Sequence, residues 1–272
     1  MQNIRLDIQY DGSRYLGWQR PEKDGLHRSV SYKLNEVLNR MTGEEIHLCA
    51  GARTDPGVHA LAQTVSFQTE APLSPEGFLR GLSLYLPQDI TVLGAQHAPN
   101  RFRADLNALS RTYEYRICTS EIYDVFHMRY ESHCFPSPDL QAMGQAAAFL
   151  KGRHDFRCFS SGRKKKGTEK EILDISFIQE PDRIAICITA NDFLHQMPLL
   201  ISGALLKIGC GFKDPNIFRT SLTEQKKQGL PPRRKDSCSK AYSIDPIIGP
   251  CSCPDRLLFI VITGTALRYD RR

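Results

Sequence analysis

The chain has 272 residues, 41% of them hydrophobic and 24% charged, and a formal net charge of +6. These are the proportions of a globular protein long enough to bury a sizeable core, most naturally in two subdomains. No apolar run approaches the roughly 18 residues of a spanning helix, and the first residues alternate without a signal-peptide pattern, so a cytoplasmic protein with no membrane partner is expected.

Ile4, Leu6, Ile8 and Tyr10 alternate with polar residues, the period of a half-buried strand, and Asp11-Gly12-Ser13 breaks it. Val30, Leu34, Val37, Leu38 and Met41 share one helical face, with Gly43 as the stop. Thr64 to Phe67 reads as a strand. Ser74 caps a helix that starts at Pro75 and runs through Leu84, and Ile90 to Leu93 reads as the next strand.

In the second half, Tyr113, Tyr115 and Ile117 alternate as a strand, and Leu140 to Leu150 reads as a helix ended by Gly152. Leu173 to Ile178 and Ile184 to Ile188 read as neighbouring strands joined at Glu180-Pro181-Asp182. Leu199 to Ile208 forms an apolar helix closed by Gly209, and Leu257 to Thr263 a last strand. Residues 225–253, rich in Lys, Arg, Pro, Ser and Gly, read as loops. Two α/β halves follow, residues 1–108 and 109–272.

Nine cysteines without framework spacing point to reduced thiols. Cys251-Ser252-Cys253 is the one close pair, and it reads as ordinary loop cysteines or as half of a zinc site. The charge is uneven. Arg163, Lys164, Lys165 and Lys166 form one cationic block and Arg233-Arg234-Lys235 another. Such blocks are either solvated surface loops or sites that neutralise the phosphates of a polyanion.

The segment Gly51-Ala52-Arg53-Thr54-Asp55-Pro56-Gly57-Val58-His59-Ala60 concentrates the chemistry. Pro56 fixes its own φ and Gly57 tolerates positive φ, so a tight turn is expected after Asp55, with the Arg53 guanidinium beside its carboxylate. Asp55 reads as a nucleophile or as a turn carboxylate bonded to nearby amides. Tyr113 reads as a site aromatic or as an ordinary strand residue. His59 bonds within the loop or contacts a ligand. A zinc-dependent nucleobase deaminase is excluded, since His-x-Glu with Pro-Cys-x-x-Cys is absent.

That loop resembles the catalytic loop of the TruA family of tRNA pseudouridine synthases. Further patches match the family in order: Tyr10 to Gln19, Arg28-Ser29-Val30, Gln63 to Phe67, Leu86 to Ile90, Arg111-Thr112-Tyr113-Glu114-Tyr115, His154-Asp155-Phe156 and Asn191 to Met197. The resemblance implies an α+β fold of two RRM-like α/β subdomains whose antiparallel sheets join across a central basic cleft. It also implies a cofactor-free, metal-free isomerisation of uridine in tRNA, at positions 38 to 40 of the anticodon arm, by a homodimer. Asp55 would be the nucleophile, Arg53 a catalytic and RNA-holding residue, and Tyr113 the aromatic on the target base. Arg14, Arg53, His59 and the block Arg163, Lys164, Lys165 and Lys166 would contact RNA. Leu199 stands where family members tend to carry an arginine understood to pair with the aspartate. The Leu199 departure leaves two other readings, a paralogue acting on another RNA such as rRNA, and a non-catalytic RNA-binding protein of the same fold.

Overall fold

A computed structural model of the chain describes residues 1–19, 25–161 and 167–219, together with the backbone of a strand at Phe259–Ile262. The architecture is α+β, in two compact units. The first takes in Met1–Arg111 and, from Ile260, the C-terminal strand; the second begins at Thr112.

In the first unit the elements are β1 (Gln2–Tyr10), α1 (Val30–Thr42), β2 (Cys49–Ala50), β3 (His59–Thr69), α2 (Pro75–Tyr85), β4 (Ile90–Ala98) and the four-residue α3 (Ala104–Asn107). Strand β1 lies between β4 and β3 and is antiparallel to both. Ile4, Leu6 and Ile8 stand opposite Phe67, Val65 and Gln63, so one face of the sheet is almost wholly apolar. The opposite face is polar, with Arg5 paired to Asp7 at 3.0 Å and Thr64 Oγ1 donating to Asp7 Oδ1 at 2.7 Å.

Helices α1 and α2 cover the apolar face. The side chain of Ser29 accepts from Tyr32 N at the start of α1, and Gly43 ends the helix with φ at 75°. At the start of α2, Ser74 Oγ accepts from Gly77 N at 3.1 Å, and Pro75 occupies the first turn, where no N–H is missed. Phe78 of α2 meets Phe67 of β3 edge-to-face, with ring centroids 5.3 Å apart. A Cβ at Gly81 would lie 2.2 Å from Met41 Cε, so the Met41 side chain fills the space that glycine leaves between the two helices.

The final strand, β10 (Phe259–Ile262), pairs parallel with β3 at His59 to Ala62. In chain order it falls in the 109–272 half, yet it belongs with the first unit. Strand β3 has eleven residues, and β2 pairs only with its Val65 and Ser66. The remaining edge needs a partner for its backbone groups, and Phe-Ile-Val-Ile is a strongly β-forming one.

In the second unit the described elements are β5 (Arg111–Cys118, in this unit from Thr112 onward), β6 (Ser132–His133), α4 (Leu140–Leu150), β7 (Gly152–Asp155), β8 (Glu169–Glu180), β9 (Arg183–Ala190) and α5 (Met197–Gly209). The strands run in the order β5-β9-β8-β7, with β6 parallel to β5. Glu180 pairs with Arg183 across the Pro181-Asp182 turn, as expected for a hairpin. Ile184, Ile186, Ile188 and Ala190 are buried at every second position of β9. Helices α4 and α5 pack together, where a Cβ at Gly209 would lie 2.7 Å from Met143 Sδ. The basic blocks at 163–166 and 233–235, and Cys251 and Cys253, lie outside the described residues.

Because Phe78 is fully buried against the strand that carries the 51–58 loop, Phe78→Ala is expected to cost about 3–5 kcal/mol. Urea unfolding followed by far-UV circular dichroism measures this cost.

Candidate active site

Strand β3 begins at His59, so the loop ending at Val58 feeds directly into the core of the first unit. Asp55, Pro56, Gly57 and Val58 form a tight turn in which Val58 N donates to Asp55 O at 3.2 Å. Gly57 has φ at 79°, which with Pro56 before it is the geometry of a type II turn. The expected turn is therefore present. Asp55 is half-buried, Arg53 is exposed, and Ala52, Thr54 and Val58 are buried around them.

The segment from Tyr10 to Trp18 lies directly against this loop. Trp18 N donates to Thr54 O at 3.0 Å, and Gly57 N donates to Tyr15 O at 3.2 Å. These two bonds flank Asp55 on both sides. Such an approach requires glycine. A Cβ at Gly12 would sit 1.9 Å from Val58 O, and one at Gly17 would sit 2.5 Å from Thr54 O. Gly17 also has φ at 92°, a left-handed conformation that L side chains rarely adopt.

Behind the loop is a buried side-chain network. Tyr10 Oη donates to Gln63 Oε1 at 2.8 Å and lies 2.7 Å from Thr54 Oγ1. A phenol has one proton, so with that proton on Gln63 the Thr54 hydroxyl must donate to Tyr10. This fixes the residue immediately before Asp55. Tyr10, Thr54 and Gln63 are all buried, so a missing member would leave its partners unsatisfied.

His59 lies under the loop. Its side chain is 5% exposed, and its Nδ1 is 3.1 Å from Gly12 N and 3.0 Å from Asp11 Oδ1. One ring nitrogen cannot accept from the amide and donate to the carboxylate at once. The tautomer with its proton on Nε2 answers the Gly12 amide, and the one with its proton on Nδ1 answers Asp11. Asp11 Oδ1 in turn accepts from Ser13 N at 2.8 Å. The His59 ring is thus buried and held within the loop by these contacts.

Arg14 is 81% exposed, with one guanidinium nitrogen 3.5 Å from Asp89. Tyr15 donates to the same carboxylate at 2.6 Å. Burial first, then the hydrogen bond to Asp89 and its negative charge, push the Tyr15 phenol far above its ordinary value. Arg111 donates from Nε to Gly51 O at 2.5 Å, and Gly51 N donates to Thr64 O at 2.8 Å. Both main-chain groups of the loop's first residue are thereby bonded.

Among the expected site residues, Asp55, Arg53, Arg14 and His59 all belong to the first unit. Tyr113 belongs to the second unit, half-buried and edge-to-face with Phe193 at 5.0 Å. Leu199 is half-buried in α5, whose last turn carries Lys207. The block Arg163, Lys164, Lys165 and Lys166 lies outside the described residues. Sequence patterning did not single out Tyr10, Thr54, Gln63 or Arg111 as parts of the loop's support. Their motifs were visible, but their meeting depends on long-range pairing.

A sequence profile of the tRNA pseudouridine synthase family matches residues 8–105 and 146–238. The chain belongs to the TruA family of tRNA pseudouridine synthases. It is similar to tRNA pseudouridine synthase A 2 of Bacillus cereus, with 35% identity over 85% of this chain and 94% of that one. The same-named protein of Clostridium tetani is 33% identical over 78% of this chain and 86% of its own length. The tRNA pseudouridine synthase A of Caldicellulosiruptor saccharolyticus is 36% identical over 80% and 88%. Among solved structures, a Cbf5-Nop10-Gar1 complex aligns over 75% of this chain and 45% of that one, at 10% identity and a TM-score of 0.32, a likeness too slight to bear on the argument. Family members are isomerases.

Two outcomes follow from the clamp around Asp55. Gly12→Ala is expected to lower turnover about 100-fold by shifting the loop, while Gly94→Ala, with open space around it, leaves the rate unchanged. Single-turnover assays of the two variants make the comparison. The raised Tyr15 pKa means that folding disfavours the phenolate, so its contribution is intact below pH about 10 and is lost as pH rises beyond that. The urea midpoint should fall from pH about 10 upward, and less steeply in Tyr15→Phe.

Proposed function

We propose that the chain isomerises uridine to pseudouridine in tRNA, at positions 38 to 40 of the anticodon arm, with Asp55 as the nucleophile. The observation that carries this reading is the Asp55 turn, held from both sides by main-chain bonds in a chain that belongs to this family. A carboxylate that must meet a carbon atom at bonding distance gains most from a fixed backbone. The relatives named tRNA pseudouridine synthase support the substrate class.

In this reading the Asp55 carboxylate attacks the ribose C1′ or the base, and the N1–C1′ bond breaks. The uracil turns, C5 bonds to C1′ as the bond that Asp55 made breaks and frees its carboxylate, the C5 proton leaves and N1 takes up a proton. Atoms and electrons balance within the uridine, so no cofactor is required. Tyr113 stacks on the base and helps remove the C5 proton. Arg53, exposed two residues before the nucleophile, holds the everted nucleotide and its phosphate. Arg14 and the block from Arg163 to Lys166 add phosphate contacts, and the working form is a cytoplasmic homodimer.

Purified protein incubated with tRNA and ribosomal RNA transcripts, followed by mapping of pseudouridine, tests the proposal. The expected product is pseudouridine in the tRNA anticodon arm with the wild type and none with Asp55→Ala. Arg53→Ala is expected to abolish turnover, and near-normal single-turnover rates would remove that role. Product confined to ribosomal RNA would redirect the substrate, and RNA binding without product would make the chain a binder.

A further inference from the structure

Cys134, just past β6, and Cys210, at the end of α5, meet inside the second unit with their Sγ atoms 3.5 Å apart. Both are thiols, and 76 positions of chain separate them, so the fold rather than the local sequence brings them together.

The backbones behind the two sulfurs are fastened. Cys134 N donates to Cys118 O at 2.9 Å, which continues the pairing of β6 with β5. Cys210 N donates to Leu206 O at 2.9 Å and closes the helix. Asp139 N donates to Gly209 O at 2.8 Å, and a Cβ at Gly209 would lie 2.8 Å from Pro138 Cβ. The segment after Cys134 is thus tied to the residue before Cys210. A disulfide bond is about 2.05 Å long, so the sulfurs need to close by only about 1.5 Å, a distance that side-chain rotation covers.

Exposure gives the two thiols different roles. Cys210 is half-buried, whereas Cys134 is 1% exposed. A small oxidant arriving from solvent therefore meets Cys210 first, with Cys134 behind it. Cys187 is half-buried too, but burial first and then the Glu114 charge push its thiol up, which leaves it less thiolate to react.

We propose that Cys134 and Cys210 form a reversible disulfide when the protein meets hydrogen peroxide, Cys210 being the attacking thiol and Cys134 the resolving one. The Cys210 sulfur attacks one peroxide oxygen, the O–O bond breaks, and a sulfenic acid and one water result. The Cys134 sulfur then bonds to the Cys210 sulfur as the S–O bond breaks, and the departing hydroxide takes the Cys134 proton as a second water. The two thiols lose two electrons and two protons, and the peroxide gains both. The new bond joins the end of β6 to the end of α5. It also spares Cys210 from sulfinic acid, which thiol reductants do not reverse. A dithiol returns both cysteines to the reduced state by exchange.

Peptide mapping of the full chain, after about one equivalent of hydrogen peroxide and blocking of the remaining thiols with iodoacetamide, tests the proposal. Trypsin releases residues 130–151 and 208–213, each with one cysteine. The expected result is a cross-link of these two peptides that holds more than about half of Cys210 and disappears with dithiothreitol. Cys134→Ser should give no such cross-link and should instead leave the Cys210 sulfenic acid to be captured by dimedone. Both peptides recovered fully blocked, sulfinic acid at Cys210 of the wild type, or a cross-link formed first between other cysteines would each overturn the proposal. Should Cys134→Ser fail to fold, the wild-type map decides by itself.

Discussion

Two backbones in direct contact govern this structure. The segment from Gly12 to Trp18 and the turn from Thr54 to Val58 approach so closely that a single methyl group at Gly12 would collide with a carbonyl oxygen. Hydrogen bonds from Trp18 to Thr54 and from Gly57 to Tyr15 then fix Asp55 between two tethered neighbours. A loop held in this way has little freedom left to lose when it meets a substrate. The sheet makes the contact possible, since β1 delivers one partner and β3 receives the other, and the two strands pair antiparallel over most of their length.

Around that contact, each polar group has a definite task. Tyr10 joins Thr54 to Gln63 behind the loop, His59 meets the Gly12 amide below it, and Arg111 holds its first residue. All are hydrogen bonds inside a unit whose other face is sealed by Phe67, Phe78 and the aliphatic residues of β1. Their value lies in what their loss would cost, because a buried donor or acceptor without a partner costs about 1–3 kcal/mol. Arg53, by contrast, stands exposed.

Local features were readable in the sequence. The alternation of Ile4, Leu6, Ile8 and Tyr10, the caps at Ser29 and Ser74, the stop at Gly43 and the Pro56-Gly57 turn all depend on a few neighbouring residues. The observed strands run longer than the patterns, as when β4 continues past Leu93 to Ala98, because pairing with β1 carries the edge on. Non-local pairing stayed hidden. Nothing in the last strand's own sequence says that it joins β3, or that β2 needs only two residues. The site shows the same division. The turn after Asp55 was legible from its motif, whereas the burial of His59 and the reach of Arg111 to Gly51 depend on packing between segments far apart in the chain.

The rigidity of the Asp55 loop is open to direct measurement by amide hydrogen exchange. Trp18 and Gly57 donate the two bonds that flank the aspartate, so both amides should exchange as slowly as those in the centre of β3. Exchange at those two amides as fast as in an exposed loop, with β3 still protected, would mean that the clamp does not exist in solution and that the poised carboxylate has lost its physical basis.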